Sequence, residues 1–418
     1  MKKTIKLALV AALALGATSA FATNGSNLIG TGAKSRAMGG TSIGTGHGAE
    51  SGLSNPALIS SIKKDHEISF GGTLFMPDVS TDGGSNGMMI ANSAADMNVI
   101  PEVSIATKVN DNFYWGIGMY GTAGMGVDYR DSTNPGSMNM VTNLQLMQFG
   151  VPLNFVANGF SIGVTPILQY GSLDMQYNYQ DMMGNQQSSG SGVSQDLAFG
   201  YNLGVAYQVA GLTLGAIYKS QIDMDYSNQL STATSPFVSM GIFPGAMSNE
   251  LSTPAEMGVG VSYRISGHTI AADYKQINWS DAEGYSDFQW EDQSVMAFGY
   301  EFDAKTWALR LGYNYASSPI SDAGAMDMSQ AGMNMAMYGG NAINTFNLAG
   351  FPATIESHIT LGGSYAFNDT TSIDLAYVYA PETTTTLQTM PDMTNRRDVQ
   401  TTVTHSQSSV SFQLNYAF

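Results

Sequence analysis

The chain contains no cysteine, which excludes disulfide staples and thiolate metal sites. Charge is scarce as well. Asp, Glu, Lys and Arg make up 12% of the 418 residues, about half the share usual in a soluble domain. Of the 16 Lys and Arg, Lys2, Lys3 and Lys6 belong to a leader described below, which leaves 13 against 33 acidic residues. That balance excludes nucleic acid as a partner, since a polyanion needs a basic face. Histidine is limited to five. None of the five sits in a Ser/His/Asp arrangement, and Gly-x-Ser-x-Gly is absent. A barrel lipase or protease therefore lacks its nucleophile and base, and the chain does not read as an enzyme. The phosphate-loop spacing Gly-x4-Gly-Lys-Ser/Thr is missing too. After the leader there is no run of about 18 apolar residues, so no transmembrane helix is available.

What is present points outward. Lys2, Lys3 and Lys6 flank an apolar stretch, Leu7 to Ala17, too short to span a bilayer. Ala20-Phe21-Ala22 fits a small-x-small cleavage site, so residues 1–22 read as a signal peptide and the mature chain begins at Thr23. An exported chain without a spanning helix either stays free or crosses a membrane as a closed β-barrel. The carboxy-terminus favours the barrel. Val410, Phe412, Leu414, Tyr416 and Phe418 are apolar at every second position, with small or amide side chains between them. A period of two puts all five on one face of a strand. A sandwich strand shows the same alternation, but ending on an aromatic residue is how outer-membrane barrels end. The 47 glycines and 21 tyrosines suit close strand packing and interfacial aromatic girdles.

Alternation bounded by turn residues predicts fourteen strands. They fall near 66–76, 101–109, 112–121, 143–157, 159–172, 196–209, 211–222, 255–265, 268–278, 293–302, 305–316, 357–367, 370–380 and 408–418. Short turns at Asn110-Asp111, Asn158-Gly159, Ala210-Gly211, Ser266-Gly267, Asp303-Ala304 and Asn368-Asp369 alternate with seven long segments rich in Gly, Ser, Asn, Thr and Met. An even strand count, with tight turns at one end and long loops at the other, is the layout of an outer-membrane protein of a Gram-negative bacterium. The expected fold is thus an all-β, fourteen-stranded antiparallel transmembrane barrel over 65–418. Strand 305–316 exposes Trp307, Leu309, Leu311, Tyr313 and Tyr315, and turns Ala308, Arg310, Gly312 and Asn314 inward. By the same rule Lys108, Lys219, Arg264 and Lys275 face the lumen, as do Glu102, Glu256, Asp273, Glu301 and Asp374. Unpaired burial of either sign is expensive, so most of these are expected to pair with one another. Contact with a ligand head group is the alternative.

A barrel this wide leaves an aqueous hole unless something plugs it. Residues 23–64 are the candidate plug, with many glycines among small residues and then Ser54-Asn55-Pro56-Ala57-Leu58. A disordered tail is the plainer alternative. Here a family resemblance enters. Gly32-Ala33-Lys34-Ser35-Arg36-Ala37-Met38-Gly39-Gly40, followed by Ser54 to Leu58, resembles the hatch of the FadL family of long-chain fatty acid transporters. Pro77-Asp78-Val79, Ser318-Pro319 and Ser364-Tyr365-Ala366-Phe367-Asn368 are similar to that family as well. The resemblance implies a monomeric barrel plugged by a small amino-terminal hatch, with Arg36, Gly39, Gly40, Asn55, Pro56 and Ala57 as hatch residues. It also implies passive uptake of long-chain fatty acids or other lipophiles across the outer membrane, without a cofactor.

Two departures bear on the cargo. Fatty-acid members carry basic residues inside the barrel near the ligand carboxylate, whereas this chain has Trp290-Glu291-Asp292 at one such place and no basic residue in Gln169 to Gln180. A carboxylate would rely on Arg310, Lys275 or Arg264; otherwise the cargo is an uncharged hydrocarbon or aromatic. The second departure is methionine, 26 in all, clustered in loops, with Met326, Met333, Met335 and Met337 as candidate ligand contacts. Flexible thioethers suit varied apolar shapes. Copper binding by Met333-x-Met335-x-Met337 is the weaker reading, and no metal site is expected. A route out is also expected. After Trp115 to Tyr120 the alternation gives way at Gly121, Gly124 and Gly126, favouring a bulge or kink where cargo leaves sideways into outer-membrane lipid. FadL-type barrels are understood to kink in this strand. The plainer alternative is that these glycines merely begin the next loop. From another functional class, an adhesin with partner-binding loops or a barrel hydrolase competes with the transporter.

Overall fold

The computed structural model describes residues 23–181 and 183–418. The expected signal peptide, 1–22, lies outside them. Fourteen strands form one closed antiparallel barrel. They are β1 (His66–Thr81), β2 (Asn98–Lys108), β3 (Phe113–Asp128), β4 (Val141–Gly150, resuming as Leu153–Ala157), β5 (Phe160–Gln180), β6 (Ser194–Val209) and β7 (Leu212–Lys219), then β8 (Glu256–Ile265), β9 (His268–Ile277), β10 (Gln293–Asp303), β11 (Trp307–Ala316), β12 (Ser357–Ala366), β13 (Thr371–Asp392) and β14 (Arg397–Ala417). β14 closes the ring against β1, in register from Val403↔Thr81 to Ala417↔Glu67. Phe418 completes that seam: its N–H donates to the His66 carbonyl at 3.0 Å, and its own carbonyl accepts from the His66 N–H at 2.9 Å. No helix among the described residues is long and apolar enough to cross a membrane.

The period-two pattern sorts the side chains as the sequence requires. Along β11, Trp307, Leu309, Leu311, Tyr313 and Tyr315 are exposed on the outer wall while Ala308, Arg310 and Asn314 are buried. At one end the strands join through tight turns. Asn158-Gly159, Ala210-Gly211 and Ser266-Gly267 each have two successive positive φ values, the twist that suits a two-residue hairpin. At the other end the connections are long. Two of them carry helices, α1 (Gln229–Ser239) and α2 (Gly339–Ala349), which pack against the loop-side ends of β5 and β13.

Four expectations need correction. The stretch 381–407, a long loop between the predicted strands, instead extends β13 and β14 as a ribbon, turning only at 393–396. Its threonines (Thr383 to Thr386, Thr401 and Thr402) favour strand for their branched Cβ, yet are polar on both faces and so hide the period. β7 stops at Lys219 rather than running to 222. Pro152 interrupts β4, where it has no N–H to give and its carbonyl instead accepts from Gly116 N–H at 2.9 Å. Finally, Lys108 and Arg264 sit at the short-turn rim rather than deep in the lumen, paired with Asp111 at 2.8 Å and Asp303 at 2.6 Å. At a strand end the inward direction opens onto water, so long basic side chains reach it.

Residues 23–62 hydrogen-bond to inward side chains of β2, β8, β9, β12 and β14. Their backbone comes so close to the wall that inward glycines are required. A Cβ at Gly215 would stand 1.9 Å from the Ile43 carbonyl oxygen, and one at Gly312 would stand 2.0 Å from Gly39 N.

Candidate functional site

The lumen has two tiers. The lower one, towards the short turns, is charged and holds the amino-terminal segment. Asp273 on β9 accepts three successive backbone N–H groups, Ser42 at 2.6 Å, Ile43 at 2.7 Å and Gly44 at 3.2 Å. Arg36 lies in a short helix, Gly32–Ala37, pairs with Glu102 on β2 and donates to Thr73 at 2.8 Å. Gly39 N–H donates to Thr360 Oγ1 at 3.0 Å; Gly39 and Gly40 both turn through positive φ. Asn55 caps the turn at Pro56 by accepting from Ala57 N–H at 3.1 Å, while its amide donates to the Ile43 carbonyl at 2.7 Å. Glu50, in the same segment, accepts from Gln413 at 2.7 Å. Burial raises its carboxyl to about 7 although Lys34 opposes the shift.

The basic residues expected to meet a ligand are already engaged. Arg310 donates to Glu301 at 2.7 Å, to Ser364 at 2.6 Å and to Asp374 at 3.4 Å. Lys275 and Lys219 both reach Glu256 Oε2 at 3.2 Å. Glu256 Oε1 accepts from Asn27 Nδ2 at 2.9 Å, so one wall carboxylate joins two lysines to the start of the amino-terminal segment. A cavity of about 500 Å³ lies at the short-turn end of this segment, lined by Lys34, His47, Glu67, Arg264, Glu301 and Asp303 among others. Charged side chains line it together with Met38, Leu212 and Trp307.

The upper tier is apolar. A single buried cluster runs from Phe237 and Phe346 on the loop helices, through Phe288, Trp290, Tyr285 and Trp279, past Ile222 and Met224, to Leu53 in the amino-terminal segment and Tyr120 and Ala123 on β3. Trp279, Tyr285 and Trp290 pack mutually at ring separations of 4.6, 4.7 and 5.1 Å, distances at which offset and edge contacts stabilise. Their indole N–H groups are satisfied by neutral amides, Gln293 at 3.3 Å and Asn347 at 3.0 Å. The amino-terminal arm touches this trio. A Cβ on Gly25 would lie 2.5 Å from Trp279 Cζ2, and Ser26 Oγ is 3.3 Å from the Tyr285 hydroxyl.

The arm also meets β3 where its ladder changes. β2 and β3 pair from Lys108↔Tyr114 to Glu102↔Tyr120, and their register ends there. On the other side β3 stays paired with β4 as far as Asp128, with a register shift between Gly121 and Ala123. The strand therefore bulges and continues, and these glycines do not begin the loop. Asn27 bridges to Ala123, and Gly124 N–H donates to the Ser26 carbonyl at 3.0 Å. The three glycines have different surroundings. Gly121 faces Ile100, which a Cβ would meet at 2.5 Å; Gly124 is bound by the arm; Gly126 lies against the Thr142 carbonyl of β4 at 2.0 Å from its Cβ position.

The loop methionines do not form one patch. Met333 is exposed, Met326 and Met337 are half-buried, and Met335 packs against the edge of the apolar cluster. Sequence reasoning missed the aromatic trio and the role of the arm. Two of the four tryptophans standing in one long connection, 278–292, was the available signal.

A closed barrel with a charged lower lumen, an apolar upper lumen and a segment threaded inside it defines an outer-membrane transport protein. Residues 7–328 match the family model for outer membrane protein transport proteins (OMPP1/FadL/TodX). The chain belongs to this family, whose members are transporters rather than enzymes. It is 22% identical over 380 residues to the long-chain fatty acid transport protein of Escherichia coli O6:H1 (78% of this chain, 79% of the relative). It is 23% identical over 373 residues to outer membrane protein P1 of Haemophilus influenzae (78% of each). The fold is similar to that of a Pseudomonas aeruginosa FadL homologue, with a TM-score of 0.73 at 16% identity over 94% of this chain and 100% of that one. It also resembles the P. putida toluene transporter TodX, with a TM-score of 0.66 at 18% identity over 94% and 99%.

Proposed function

We propose that this protein is a monomeric passive carrier of hydrophobic molecules, long-chain fatty acids or other lipophiles, from the cell surface into the outer membrane. Methionine-bearing loops capture the cargo, the upper chamber holds it, and the amino-terminal segment acts as a hatch. The observation that carries this reading is the continuity of the apolar cluster from the loop helices to the β3 bulge, where the β2–β3 ladder ends. A lipophile following that cluster stays out of water. Continuing downward would take it through the charged tier, losing roughly 25 cal/mol for each Å² of apolar surface exposed. Sideways exit at the bulge avoids that loss. Relatives named for long-chain fatty acid and toluene transport support a lipophilic cargo.

In this reading, cargo entering the aromatic trio displaces Gly25 and Ser26, and the arm withdraws from Ala123. A reversible lock tests it. Asn27→Cys with Ala123→Cys places two thiols at paired strand positions, a spacing that a disulfide accepts, in a chain with no other cysteine. Oxidation is expected to stop uptake of a labelled lipophile by whole cells, and reduction to restore it. Uptake that continues in the fully oxidised protein would show that the arm does not gate the route.

A further inference from the structure

The charges around the chamber narrow the cargo class, given the transport reading above. Each cation buried in the lumen faces a carboxylate: Lys34 has Asp374 at 3.7 Å, Arg36 has Glu102, Arg310 has Glu301, and Lys219 and Lys275 share Glu256. The last pair borders the apolar tier. A cavity of about 50 Å³ runs beside Glu256 and Lys219 to Gly121, Thr122 and Ile222. A second, of about 40 Å³, lies between Glu256, Lys275 and Ile43. Two ammonium groups converging beside the buried apolar cluster are what the head group of an anionic amphiphile would require. That position is occupied by the protein itself, because Glu256 takes both lysines and is held in place by Asn27 Nδ2 at 2.9 Å.

The entrance carries few cations: Arg130 and Arg397 on its long connections are paired with Asp128 and Asp392, and Arg396 adjoins Arg397 in the sequence. From Asp131 through Tyr218, and again from Ser220 through Tyr263, the sequence has no lysine or arginine. The connection over the aromatic trio carries Asp281, Glu283, Asp287, Glu291 and Asp292. An approaching carboxylate meets a field of its own sign within a Debye length of about 8 Å. Inside, it would find the indole N–H groups already given to neutral amides. We infer that Glu256 is a built-in counter-ion that fills the anionic head-group position, and that the cargo is an uncharged lipophile.

The test compares matched probes on the full-length protein in a non-ionic detergent. A bromine-tagged long-chain alcohol and the corresponding carboxylate are titrated at pH 8, with binding read as tryptophan quenching. The alcohol is expected to bind about tenfold more tightly or better, because the carboxylate would be buried without a partner. Glu256→Gln frees the lysines and is expected to tighten carboxylate binding about threefold or more, with the alcohol changed less than about twofold. Adding Lys219→Gln and Lys275→Gln is expected to abolish that gain. Wild-type binding of the carboxylate as tight as that of the alcohol would overturn the inference. An unchanged ratio in a folded Glu256→Gln protein would remove Glu256 from it. Should that variant fail to assemble, the wild-type ratio still decides the cargo class. Failure of both probes to bind would instead count against the transport reading.

Discussion

Arg310 shows how a residue's chemistry changes once its neighbours are known. From sequence it is a lumen-facing cation, and a carboxylate ligand is one natural partner. In the fold that partnership is taken by Glu301 and Asp374. Arg310→Ala is therefore expected to act on stability, by about 3 kcal/mol, since removing one side of a buried pair strands the other. The low end of the usual range applies because Asp374 keeps Lys34 at 3.7 Å. Urea unfolding in detergent measures the loss, and binding of an apolar cargo to the folded variant is expected to stay unchanged. Glu50 supplies a pH dependence with a definite sign. Its carboxyl is raised by burial to about 7, so the protonated form suits the folded segment. Its contribution is present in full below the ordinary carboxyl value near 4.5 and is lost as pH rises through about 7, up to about 3 kcal/mol in all. Protection of the amides of residues 23–62, their exchange relative to the intrinsic rate at each pH, is expected to be greater at pH 5 than at pH 8, and Glu50→Gln to flatten the difference. Protection that falls on acidification would contradict the assignment.

At the scale of elements, legibility followed the physics of alternation. Strands with one lipid face and one polar face, such as β11 and the end of β14, were read to within a residue or two. Such a one-residue slip would turn every side chain to the wrong medium. The β13–β14 ribbon escaped because beyond the membrane neither face must be apolar. The helices over the lumen escaped too, since Gln229–Ser239 contains Pro236 and weak helix formers and is held by Leu230 and Phe237 packing into the chamber. The candidate site was legible only in part. Period turned Asp273 inward and motif singled out Arg36 and Asn55, but the backbone N–H groups that Asp273 accepts lie 229 to 231 positions away and no spacing rule connects them. The bulge at β3 was legible because glycine marks it. Gly121→Val, with Gly124→Val, is expected to push Ile100 aside and disturb the arm. The barrel should still assemble, since neither substitution breaks the β3–β4 ladder. Uptake is expected to fall several-fold; normal uptake by a folded double variant would move the exit elsewhere.

For the whole molecule, the question is which tier seals the pore. The amino-terminal segment fills the lower lumen, and its removal does more than empty a volume. Asp273 loses three N–H donors and Glu102 loses Arg36, leaving carboxylates that only water can then satisfy. The lower tier must therefore flood. The upper tier is a different kind of seal, a close-packed apolar cluster that includes Leu53 of the same segment. Taking out Leu53 opens a cavity on the lower side of that cluster, beneath loop helices that are otherwise held to the ends of β5 and β13. Such a lid opens locally at lower free energy than the barrel unfolds. Deleting residues 24–60 is accordingly expected to raise the swelling rate of liposomes in a small sugar several-fold over the intact protein, with the barrel still folded. If swelling is unchanged, the aromatic trio and the helices over it hold the membrane barrier by themselves, and the amino-terminal segment serves only to shape the path of the cargo.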